Sequence, residues 1–125
     1  MSVYDFLERI KGLISEYGDV KIGIEKLQPD SFPLLRVVPN QNSLDDGLDH
    51  WAQDIYFSIY IGKMIDEPES AFKWAYDIEN KIFNKLHNFQ FDDGGLIRFV
   101  ESKRVELLDD FLIIESSYFC DSFRL

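Results

Sequence analysis

"WAQDIYFSIYIGK", residues 51–63, is the stretch that decides the fold. Ile55, Phe57, Ile59 and Ile61 alternate with Asp54, Tyr56, Ser58 and Tyr60. A repeat of two sends successive side chains to opposite faces of a sheet, so this is a long strand with one face in a core. Its second face is unusual, because it carries two tyrosines where Lys, Thr or Glu would satisfy water. Four residues apart on one face, Tyr56 and Tyr60 stand about 13 Å from each other. Two readings follow: ordinary cross-strand packing against Arg98 or Val100, or an association surface, where tyrosine gives contact area at small entropic cost. Trp51, at the strand's start, divides the same way.

Upstream, "PNQNSLDDGLDH" (residues 39–50) is the longest polar stretch and is expected to be a mobile loop of about 12 residues, a length that often serves a purpose. Before it, "LLRVV" (34–38) reads as a strand stopped by Pro39, and "VKIGIEK" (20–26) as a short strand with one buried face. "QPDSFP" between them is turn chemistry, and Pro33 suits a strand's first position or an edge. Val3, Phe6, Leu7, Ile10, Leu13, Ile14 and Tyr17 recur at helical spacing, which predicts an amphipathic helix over residues 3–17 closed by Gly18 in left-handed geometry.

Downstream, "DEPES" (66–70) starts a second helix, with Pro68 in the first turn and Glu67 and Glu69 beside the positive end of its dipole. Phe72, Ala75, Ile78, Ile82, Phe83, Leu86 and Phe89 continue it until Asn88 or "DDGG" (92–95). Residues 96–108 and 110–123 read as a hairpin of two strands long enough that bulges or a bend are expected. The order is α-β-β-β-α-β-β, within a single domain spanning residues 1–125. Strands in runs, with helices outside the run, imply an α+β two-layer sandwich: a mixed or antiparallel sheet with two helices on one face and the other face open.

Composition narrows function by exclusion. The 125 residues are 46% hydrophobic, enough to bury a core of ordinary proportions. No basic start leads into an apolar run and no segment approaches a membrane span, so a soluble chain without a visible address is expected. One cysteine, Cys120, precludes an internal disulfide, fits a reducing compartment such as a bacterial cytoplasm, and reads as a small core residue. Thirteen Lys and Arg against 23 Asp and Glu give a formal charge of −10, the wrong field for DNA grooves, so no specific nucleic-acid binding is expected. The densest basic run is "SKR" (102–104).

Catalytic signals are missing. His50 and His87 are the available imidazoles, there is no GxSxG, and nothing near Cys120 suggests a lowered pKa. "DDGLDH" (45–50) gathers three carboxylates and an imidazole, but Leu48 breaks the alternation of a calcium loop and no acid closes the frame. "DDGG" leaves a helix for a strand, the reverse of a phosphate cradle. The expectation is a non-enzymatic protein with no catalytic residue, metal or cofactor.

The amphipathic first helix, "FPLLRVVP", the long polar loop, the long alternating strand, the helix beginning "PES" and the closing strand pair follow one another in an order that resembles the small tail-terminator or tail-completion proteins of long-tailed bacteriophages and related prophages. The resemblance spans nearly the whole chain and lies in element order and hydrophobic pattern. It implies two helices on one face of a small mixed sheet, and a ring, six copies in that family, at the end of the tail tube. Such a ring stops tube growth and meets the neck connector. The resemblance therefore implies a virion tail protein made in the bacterial cytoplasm, with copies of itself, tail-tube proteins and neck proteins as partners and no membrane. The open sheet face and the loop would be buried against neighbours, which makes Trp51, Tyr56, Tyr60, Asp45, Asp46 and Asp49 the candidate interface residues. An acidic lining would also suit DNA passage. The alternative reading is an acidic inhibitor or immunity-type protein that binds a basic toxin or nuclease.

Overall fold

The alternating stretch becomes the central strand of a five-stranded sheet. The computed structural model describes residues 3–24, 28–44, 52–92, 94–105 and 110–124. Its elements run α1 (Val3–Ile14), β1 (Val20–Ile22), β2 (Leu34–Leu44), β3 (Ala52–Met64), α2 (Pro68–Leu86), β4 (Leu96–Val105) and β5 (Phe111–Arg124), with short 3-10 turns at Ser15–Tyr17 and Pro29–Ser31. The order is the expected α-β-β-β-α-β-β. In space the strands lie β1-β2-β3-β5-β4. β1 pairs with β2 in parallel and every other pair is antiparallel, which makes the sheet mixed.

Both helices cover one face. α1 lies over β1 and β2, while α2 lies over β3, β5 and β4. Phe6, Leu7, Ile10 and Ile14 of α1 and Ala71, Ala75, Ile78, Ile82 and Leu86 of α2 meet Ile55, Phe57, Ile59 and Ile61 in one core. Each large side chain there contributes about 1.5–3 kcal/mol by leaving water. Aromatic rings fill the centre: Phe57 meets Phe6 edge-on at 5.4 Å and stacks on Tyr118 at 5.6 Å. Tyr118 in turn meets Phe99 at 5.5 Å. An ion pair of 3.4 Å between Lys85 and Glu16 ties the second helix to the turn after the first.

Local chemistry sets the element ends. The Glu67 carboxylate accepts the backbone N–H of Glu69 (3.3 Å) and Ser70 (2.8 Å), capping α2 with Pro68 as its first residue. Asn88 follows the helix at φ 67°, the left-handed conformation that asparagine tolerates. Gly18 departs from the expected left-handed geometry. Its φ is 158°, and a Cβ there would stand 2.9 Å from Leu35 Cδ1, so the constraint is close approach to the sheet.

Several boundaries differ from the sequence reading. α-Helical geometry stops at Ile14 and tightens into a 3-10 turn. The first strand is described only as Val20–Ile22, and residues 25–27 lie outside the described part. The largest correction concerns residues 39–50. β2 continues through Pro39 to Leu44, paired with β3 from Phe57 to Gln53 across a bulge between Pro39 and Gln41. The bulge accommodates a residue with no N–H to donate. Residues 45–51, including Asp45, Asp46, Asp49 and Trp51, lie outside the described residues. So do residues 106–109, where the closing hairpin was expected to turn.

Candidate assembly surface

The strand register lays out the face that the helices leave uncovered as four cross-strand rows. At one end Leu34, Gly62, Ile113 and Val105 stand in line across β2, β3, β5 and β4. The next row crosses all five strands: Lys21, Arg36, Tyr60, Glu115 and Lys103. A hydroxyl row follows, Val38, Ser58, Ser117 and Glu101, and then Tyr56, Phe119 and Arg98.

This face is not bare, which corrects the expectation drawn from the alternation. Leu34 and Ile113 are buried under Phe32 and Phe111, whose rings stack at 4.5 Å. A Cβ on Gly62 would come within 3.0 Å of both Phe32 and Ile113, so glycine lets this small apolar cluster close on the sheet. Ser58, expected to face water, is fully buried, and Arg36 is 3% exposed. Arg36 Nη1 donates to the Leu35 carbonyl at 2.8 Å.

Glu115 is the hub of the polar rows. Its Oε2 accepts the Ser58 hydroxyl at 2.8 Å, and its Oε1 lies 3.6 Å from Lys103 Nζ. Tyr60 stands directly opposite Glu115 in the register. Burial first, then the charge and accepting oxygens of Glu115, raise the Tyr60 pKa and keep the phenol protonated. Ser58 Oγ accepts from Asn40 Nδ2 at 2.7 Å and lies 3.4 Å from Ser117 Oγ. One carboxylate thus gathers a hydroxyl from β3 and an ammonium from β4, and the serine extends the network to β2.

The two tyrosines have different roles. Tyr60 is half-buried in the polar network, whereas Tyr56 is 39% exposed with its ring 4.7 Å from Phe119. Neither is a cross-strand neighbour of Arg98 or Val100, because β5 stands between β3 and β4. Val100, at the bulge between Phe99 and Glu101, is 54% exposed. Tyr56, Phe119 and Arg98 therefore form a wet aromatic and cationic row, with Val100 beside it. Among the described side chains, charge on the face is balanced: Lys21, Arg36, Arg98 and Lys103 oppose Asp54, Glu101, Glu115 and Asp121, on a chain of −10.

The sequence reading singled out Tyr56 and Tyr60 but missed Glu115, Ser58, Ser117 and Phe119. The alternation of "ESSYF" (115–119) places Glu115, Ser117 and Phe119 on one face, but only the pairing of β5 with β3 shows which residues they meet.

The groups with chemical potential serve structure. His87 stacks on Phe83 at 4.8 Å, and its Nδ1 accepts the Phe99 N–H at 3.0 Å. Cys120 is fully buried, and burial, followed by Asp121 and Asp54, pushes its thiol pKa up to about 12. Among the described residues no three His, Cys, Asp or Glu side chains are grouped to hold a metal, and no helix is long and apolar enough to cross a membrane.

The architecture is that of a helix-backed α+β sheet protein with one solvent-facing sheet surface. No protein-family model and no curated protein matches the sequence. Among solved structures, the fold is similar to that of a chain in the virion of a native gene transfer agent particle, with a TM-score of 0.55 and 14% identity, over 97% of this chain and 91% of the other.

Proposed function

We propose that this chain is a non-enzymatic virion assembly protein of the tail-terminator or tail-completion kind, which self-associates as a ring at the end of a tail tube and offers a surface to the neck. The observation that carries this reading is the near full-length likeness of fold to a chain of a gene transfer agent virion, which covers both chains almost completely. The uncovered sheet face supports it, being polar, aromatic and charge-balanced. Such a face suits a neighbour of mixed charge, such as a second copy, better than a uniformly basic toxin. The protein would act in the virion tail after synthesis in the bacterial cytoplasm. Native mass spectrometry and negative-stain microscopy of the purified chain test this directly: closed oligomers are expected, and addition of the protein to a polymerising tail-tube protein should shorten the tubes. A strict monomer that leaves tube length unchanged refutes the proposal, and tight salt-sensitive binding to a basic nuclease would favour an inhibitor instead.

A further inference from the structure

The sheet ends on two edge strands, β1 and β4. On β4 the first half is occupied: Ile97 N–H donates to Phe89 O at 2.8 Å, Asn88 N–H donates to Ile97 O at 2.7 Å, and Phe99 N–H donates to His87 Nδ1. Because Ile97 and Phe99 bond outward, Cys120 and Tyr118 opposite them bond toward β3. The same alternation along β5 reaches Ser116 and Ile114, so their partners Ser102 and Arg104 turn N–H and C=O outward. No backbone group among the described residues meets them.

β1 is open in the same way. Gly23 N–H donates to Val37 O at 2.8 Å, so Lys21 and Gly23 face β2 while Val20 and Ile22 face away from it. A shallow notch of about 340 Å³ runs along this edge, lined by Lys21, Ile22, Gly23 and Ile24, and Ile24 is 48% exposed.

The two edges match in direction, bonding and charge. β1 is parallel to β2, and β2, β3, β5 and β4 alternate, so β4 of one copy beside β1 of another is antiparallel. Outward residues must pair with outward residues, as Ser102 does with Val20. That register sets Glu101 opposite Lys21 and Lys103 opposite Asp19, all four exposed. It also brings Val100, 54% exposed, opposite Ile22 and its notch. A slip of two residues sets Lys103 against Lys21, or Glu101 against Asp19 in the other direction, and like charges directly opposite are destabilising. A slip of one sends the side chains to the wrong faces. Charge and pleat select a single register.

We infer that β4 of one copy adds to β1 of the next in this register, continuing the sheet from copy to copy. Contact between two different patches of identical chains is heterologous, and its repetition closes a ring when the rotation between neighbours closes. Closure also removes both edges, the routes to indiscriminate strand addition. The inference rests on the self-association proposed above and names the surfaces that carry it.

Light scattering after size-exclusion chromatography at low salt tests it. Lys21→Glu and Glu101→Lys, both at exposed sites, should each weaken assembly about tenfold, and the two changes in one chain should restore it. Cysteines give a second readout that does not depend on affinity. Residues 21 and 101 lie on opposite edges of one sheet, roughly 19 Å apart across the intervening strands, too far for a disulfide within a copy. Oxidised Lys21→Cys/Glu101→Cys should therefore run as a ladder of covalent oligomers on a non-reducing gel, and either single variant as a monomer. A wild type that assembles while the reversals change nothing, the combined variant fails to recover, or the double cysteine gives no ladder, overturns this interface and leaves the self-association reading standing. A response to Glu101→Lys without one to Lys21→Glu marks β4 pairing with itself and overturns it too. A wild type that remains monomeric at every concentration overturns both readings.

Discussion

Ser58→Ala probes the polar network on which the uncovered face depends. The serine is fully buried, donates to Glu115 Oε2 at 2.8 Å and accepts from Asn40 at 2.7 Å. Alanine removes a single oxygen, so the cavity is negligible. What remains is the loss of a hydrogen bond to a charged group, worth about 1.5–3 kcal/mol, with the amide of Asn40 left one partner short. At roughly 2.1 cal/mol/K per residue, 125 residues give an unfolding entropy near ~0.26 kcal/mol/K, so a loss of ~2 kcal/mol lowers Tm by roughly 8 °C. Ser117→Ala removes only the 3.4 Å contact and should cost about 0.5 kcal/mol, or roughly 2 °C. Calorimetry measures both, and urea titration should show a lower midpoint with an unchanged slope. A double-mutant cycle of Ser58→Ala with Glu115→Gln should give a coupling of about 1 kcal/mol or more. If Ser58→Ala unfolds within 2–3 °C of wild type (~0.6 kcal/mol), or the cycle is additive, Glu115 does not organise the face and the reasoning fails.

The exposed ring and the half-buried ring should separate on mutation. Tyr56→Glu loses its contact with Phe119, worth about 0.5–1.5 kcal/mol, and should leave the monomer folded while weakening self-association. Tyr60→Glu sets a carboxylate directly opposite Glu115 and should destabilise the monomer more, an ordering that thermal melts will confirm or reverse. Cys120 should resist thiol reagents at pH 8 and react only after unfolding by denaturant; stoichiometric labelling of the native protein would show the core to be open there. Hydrogen bonds from Ser70, first its side chain and then its N–H, lower the Glu67 pKa below the ordinary carboxylate range. A depressed acid adds stability above its unfolded pKa, and that share fades as pH falls through the lowered folded value. Wild type and Glu67→Gln should therefore differ most in Tm near neutral pH and converge in acid; a gap that widens as pH drops contradicts the cap.

Elements that carry their own periodicity were legible. The stripes of α1 and α2 and the alternation of β3 are local patterns, so the two-layer architecture followed from them. Legibility ended where pairing overrides composition. "PNQNSL" (39–44) has the residues of a loop, yet β3 supplies the backbone partners that make it a strand. Ser58 looks like a wet-face residue, and its burial depends on Glu115, which is 57 positions away. Strand order was equally hidden, and with it the identity of Phe119, not Arg98, as the partner of Tyr56.

The uncovered face also bears on a problem that the proposed assembly role would raise: such a protein must remain soluble alone and still be covered later. An apolar flank would drive association but would aggregate first. A wet, charged flank would be soluble, but burying its ions unpaired would cost several kcal/mol each. Here Glu115 is already partnered within the chain by Ser58 and Lys103, so a neighbour placed over the middle rows need not neutralise it. The groups left exposed include Tyr56 and Arg98, contact types enriched at protein interfaces, with Val100 beside them and Lys21, Glu101 and Lys103 at the margins. Prior pairing of the central charge lowers the desolvation cost of assembly, and the rim supplies recognition. The surface can therefore be polar in the free chain and still suit burial under a neighbour, as the proposed ring requires.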